Sequence, residues 1–170
     1  MEILAYYKFE KIKLRDLIIL ILYLFGSLLI FYLADKKSLS EANVLIAEYS
    51  LITQLILYAF LYRSLRNLSV YFLWLLVAIM HFLMSFTFKG NLNDAMPGVQ
   101  AANGLRDTII LLLLFQVLRF GSLYFQKREL IPPFKNRLRK VPEERTVTFI
   151  DFIAFFLYIT VAIYLMQVSS

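Results

Sequence analysis

The sequence contains no cysteine, which excludes disulfides, thiolate metal sites and cysteine nucleophiles. It contains one histidine, His81. A haem with two histidine ligands, or a multi-histidine metal site, would need residues from another copy or a partner. Trp74 is the single tryptophan, and the five glycines form no G-x-x-x-G, so a close helix dimer of that type is not expected. The chain also lacks H-E-x-x-H, G-x-S-x-G and P-loop signatures. Glu143 and Glu144 are adjacent acids set among basic residues, where they read as solvated charge. Asn91, Asn93 and Asp94 lie in a Gly- and Asn-rich stretch and read as turn chemistry. These absences predict a non-enzymatic chain with no cofactor and no resident metal.

What the chain has in excess is oil. Hydrophobic residues make up 61% of its 170 positions, against roughly 45–50% in soluble domains. Five apolar segments account for most of them: 17–34, 44–62, 68–88, 105–125 and 148–168. Each is close to the ~20 residues that cross ~30 Å of hydrocarbon. Backbone in lipid must satisfy its own hydrogen bonds, so such segments are helices. Strand alternation is absent, which argues against a membrane barrel. The prediction is an all-α polytopic membrane protein, a single transmembrane domain over 1–170 with five spanning helices. The connections are short, so consecutive helices are expected to be antiparallel neighbours. Residues Lys8–Arg15 ahead of the first run resemble the charged region of a signal peptide. That run is too long for a signal core and no small-residue cleavage site follows it, so an uncleaved first span is expected.

Charge orients the bundle. Of eighteen Lys and Arg, thirteen fall on one face: Lys8, Lys11, Lys13 and Arg15, then Arg63 and Arg66, then seven in the loop 126–147. That loop reads QKRELIPPFKNRLRKVPEER over 126–145 and holds Lys127, Arg128, Lys135, Arg137, Arg139, Lys140 and Arg145. The two connections on the other face are each net neutral. Cytoplasmic loops carry the Lys/Arg excess, which predicts an N-in, C-out arrangement, and the cysteine-free composition rich in Lys, Phe, Tyr and Ile is compatible with a bacterial inner membrane. The basic loop is then a topological anchor that attracts anionic lipid head groups, or a docking surface for an acidic partner. It lacks interleaved aromatics and any nucleic-acid-binding pattern, so nucleic acid is not an expected partner.

Polar residues inside the apolar runs fall in stripes at helical spacing: Asn43, Ala47, Ser50, Gln54 and Tyr58; Trp74, Ala78, His81 and Ser85; Thr108, Leu112, Gln116, Arg119 and Ser122; Asp151, Phe155, Tyr158 and Ala162. Two readings follow. Either these are packing faces where amides bond across helices, or helices two to four line a hydrated path. The intramembrane polar candidates are Glu48, Gln54, His81, Gln116, Arg119 and Asp151. Depth along the helices predicts an Arg119–Asp151 ion pair, with snorkelling of Arg119 as the alternative, and lets Glu48 approach His81. The functional expectation is a non-catalytic membrane subunit or scaffold, assembling with itself or with other membrane proteins. A small oligomeric channel or transporter is the alternative.

Overall fold

The computed structural model describes residues 6–90, 101–133 and 146–168. Every regular element among them is helical: α1 (Leu14–Asp35), α2 (Leu39–Ala59), α3 (Leu68–Gly90), α4 (Ala101–Gln126) and α5 (Phe149–Val168), with a 3₁₀ turn at Ser64–Arg66. Lys135, Arg137, Arg139 and Lys140, and the stretch around Pro97, lie outside the described residues.

Local chemistry sets the helix ends. At the start of α3 the Asn67 side chain accepts the Ser69 N–H at 3.0 Å, an N-cap bond that satisfies one of the orphan donors. At the start of α5, Thr148 and Asp151 cap each other. The Thr148 N–H donates to Asp151 Oδ2 at 2.9 Å and the Asp151 N–H to Thr148 Oγ1 at 3.4 Å, the reciprocal geometry of a capping box. Helix α4 ends where Lys127 takes a positive φ of 52°, a left-handed step that reverses the chain and sends Glu129 back towards the bundle.

Three helical stretches are long and apolar enough to cross a membrane: Leu14–Asp35, Leu68–Phe86 and Gly104–Gln126. Val44–Ala59 and Phe149–Leu165 are shorter apolar helices. The outward faces are oily. Phe25, Leu28, Phe120, Phe149 and Phe156 are all at least half exposed, a surface suited to lipid rather than water.

Helix α4 is the hub, packed against α2, α3 and α5, while α1 leans on α2. The expectation that every consecutive pair packs is therefore met only in part, because α2 and α3 associate chiefly through α4. The turn through Phe60–Asn67 is long enough to set them apart. The polar stripes are the inward faces: Ser50, Gln54, Tyr58, Trp74, Ala78, His81, Ser85, Thr108, Leu112, Arg119, Ser122, Asp151 and Tyr158 are all buried.

Candidate functional site: a basic chamber at one end of the bundle

Three segments meet at one end of the bundle: the chain leading into α1, the turn between α2 and α3, and the chain leaving α4. Backbone and side-chain bonds tie them together. Leu68 N–H donates to Lys8 O at 3.1 Å. The Asn67 amide and the Glu10 backbone exchange bonds of 3.1 and 3.2 Å. Arg66 Nη2 donates to Leu130 O at 2.6 Å.

Arg119 is the keystone, 1% exposed. Its Nε and Nη2 grip both oxygens of Glu129 at 2.9 and 2.6 Å, and Nη1 and Nη2 donate to Arg66 O and Tyr6 O at 3.0 Å each. The Tyr7 ring covers the guanidinium, 4.7 Å from its carbon. Burial raises the Tyr7 phenol above its ordinary pKa; Arg119 opposes that shift and Glu129 adds to it. One side chain thus joins α4 to all three segments. The bidentate geometry and four hydrogen bonds are what make a buried guanidinium tolerable.

Beside this lock lies a chamber of about 400 Å³. Its walls carry six cations, Lys8, Lys13, Arg15, Arg63, Arg66 and Arg119, against three carboxylates, Glu10, Asp16 and Glu129. Two of the carboxylates are engaged. Glu129 holds Arg119, with Arg66 at 3.6 Å. Asp16 accepts the Ser64 hydroxyl at 2.7 Å, with Arg15 at 3.4 Å. The chamber wall carries an excess of positive charge, and guanidinium groups suit phosphate oxygens. Lys127 and Arg128 are exposed at the same end, where the Tyr6 hydroxyl reaches Lys127 O at 3.4 Å.

The other sequence candidates do not gather in one place. Arg119 takes Glu129 rather than Asp151, because the reversal at Lys127 delivers Glu129 first. Asp151 is instead bound to its own helix start and to the chain after α4: Ile131 N–H at 3.2 Å, the Thr148 hydroxyl at 2.9 Å and Gln126 Nε2 at 3.3 Å. Glu48 does not meet His81. It sits on the exposed side of α2, beside Lys37 and Glu41. Its neighbour Tyr49, turned about 100° around the helix, reaches His81 Nε2 at 3.1 Å. Gln54 donates to Gly104 O at 3.2 Å and Gln116 to Leu65 O at 3.2 Å.

Sequence reasoning missed Glu129, which hid in a run of charges, and the capping role of Asp151. The second was readable: a Thr-x-x-Asp directly ahead of an apolar run is a capping-box pattern. Among the described residues no group of three His, Asp or Glu is placed to hold a metal ion. No family model, curated protein or solved structure matches the chain.

Proposed function

We propose that the chain is a non-catalytic integral membrane subunit or scaffold with five spans, N-in and C-out, whose basic end docks anionic lipid head groups at the cytoplasmic surface. The chamber carries this reading: six cations against three carboxylates, located where apolar helices begin and phosphates of a bilayer surface would lie. Each basic group near an anionic leaflet contributes about 1 kcal/mol. Helix lengths support the span count. The two shorter apolar stretches belong to helices of 21 and 20 residues, each roughly 30 Å long at the standard rise, enough for the ~30 Å hydrocarbon layer. The outward apolar faces, above all on α1, leave room for partner helices or a second copy.

The intramembrane polar residues weigh against a conduit. Gln54 and His81 bond at separate interhelical contacts, Gln116 and Arg119 bond to the segments between helices at the basic end, and Glu48 faces outward. That scatter is the pattern of packing bonds.

Native mass spectrometry of protein released gently from its own membrane tests the proposal. The wild type is expected to retain anionic lipid, and to emerge with other polypeptides in fixed ratio or as a closed homo-oligomer. In the triple variant Lys8→Gln, Lys13→Gln, Arg63→Gln, retained anionic lipid is expected to fall several-fold, while the Arg119–Glu129 lock is untouched. Lipid retention equal to wild type, with loss of a co-purifying polypeptide, would move the docking role to an acidic protein partner.

A further inference from the structure

The cations of the basic chamber come from four separate parts of the chain. Lys8 and Lys13 lie ahead of α1, Arg15 in its first turn, Arg63 and Arg66 in the turn between α2 and α3, and Arg119 in α4. Several are pinned in place. Arg15 Nη2 reaches Ser64 Oγ at 3.5 Å, Arg63 Nε donates to the Tyr62 hydroxyl at 3.2 Å, and the Arg66 guanidinium lies over the Tyr62 ring, 5.1 Å from its centroid. Side chains held in this way lose little further freedom when an anion arrives. Helix α1 also starts at the chamber with no side-chain cap, and its N-terminus adds partial positive charge.

Charge and size bound the visitor. Six cations against three carboxylates leave an excess of three positive charges. A headgroup with one phosphodiester brings a single negative charge and leaves most of that excess unmet. The volume of about 400 Å³ is the space of roughly a dozen waters at ~30 Å³ each, more than one phosphate fills. Cations set around the wall from four segments suit phosphates held apart rather than one alone. A second phosphate in the same molecule meets all three conditions. Because it is tethered to the first, it binds at a high effective concentration.

The rest of the visitor is hydrocarbon. Arg15, its side chain 67% exposed, heads a stripe on α1 at spacings of three and four: Ile18, Leu22, Phe25 and Leu29, each of them exposed. Ile21 and Leu28 run beside it and are exposed too. An oily face continuous with the chamber favours a lipid over a soluble anion. We propose, resting on the lipid-docking reading above, that the chamber is a site for a lipid with two phosphate groups in one headgroup, a diphosphatidyl lipid. Its phosphates lie among the chamber cations and its chains along α1.

Cardiolipin and phosphatidylglycerol are the probes, since both carry phosphodiesters and differ in having two or one per headgroup. Protein is reconstituted in phosphatidylcholine vesicles that hold the two at equal phosphate, and the lipids it retains are counted by native mass spectrometry. Cardiolipin is expected to be enriched over phosphatidylglycerol by at least about tenfold, a modest gain for two linked contacts. Inorganic diphosphate at the same phosphate concentration is expected not to displace it. Arg15→Gln leaves the Arg119–Glu129 lock in place and is expected to cut the enrichment several-fold. Equal retention of the two lipids per phosphate would overturn this inference while leaving the docking of anionic lipid intact. Retention of neither would overturn both. Displacement by inorganic diphosphate would make the ligand a soluble anion, and enrichment unchanged in Arg15→Gln would put the lipid elsewhere on the protein; each contradicts the proposal. The wild-type comparison stands even where the variant does not fold.

Discussion

Arg119 concentrates more of the structure than any other side chain, and its energetics are specific enough to test. Removing one member of a buried, bidentate pair leaves an uncompensated charge and costs about 3–5 kcal/mol. Arg119→Leu also frees the carbonyls of Arg66 and Tyr6. Arg119→Leu and Glu129→Leu are each expected to lower the melting temperature of detergent-solubilised protein strongly. The double change should cost clearly less than their sum, whereas Arg119→Leu with Asp151→Leu should be additive. Asp151→Ala is expected to destabilise by about 1–2 kcal/mol through loss of the α5 capping box, measurable as a lower melting temperature, with Asp151→Asn losing less. The sequence made the burial of Arg119 and Asp151 legible, because charges within apolar runs turn inward. It did not make their partners legible. Those depend on a backbone reversal at Lys127, a residue type with no preference for positive φ, and on capping chemistry that competes with ion pairing for the same carboxylate.

At the scale of elements, the spacing of polar and small residues marked the buried faces of α2 to α5, since a 3.6-residue period leaves little freedom in which side chains share a stripe. The pairing of helices was less legible. Loop length suggests neighbours in sequence, yet α4 takes the central place, and the reason lies in a close approach. A Cβ added to Gly104 would collide with the Ser50 hydroxyl, and Ser50 is held by its own bond to Ala47 O at 2.8 Å. Gly104 also presents its carbonyl to Gln54. Gly104→Ala is expected to push α2 and α4 apart and cost about 1–3 kcal/mol, with Ser50→Gly in the same chain restoring most of the loss. Thermal unfolding of the two single variants and the double variant checks this: equal melting temperatures for Gly104→Ala and wild type would mean that the approach is not tight.

At the scale of the whole molecule, two asymmetries define the account. One is radial: polar stripes inside, large apolar side chains outside, most fully on α1. The other runs along the bundle axis. Basic residues that lie far apart in sequence, at 8–15, 63–66 and 127–128, come together at one end around the chamber. Composition and charge counting made both legible, because they follow from the exclusion of charge from hydrocarbon and need no knowledge of which side chains touch. The central claim is that these asymmetries are those of a five-span protein with its basic end in the cytoplasm. The absence of native cysteine makes the decisive measurement simple: single cysteines placed at Lys11, Lys36, Arg128 and Ser170, each labelled in intact cells with a membrane-impermeant maleimide. The account predicts labelling of Lys36→Cys and Ser170→Cys from outside, and of Lys11→Cys and Arg128→Cys only after permeabilisation. Labelling of Lys11→Cys and Lys36→Cys from the same side, or of Arg128→Cys and Ser170→Cys from the same side, would contradict it.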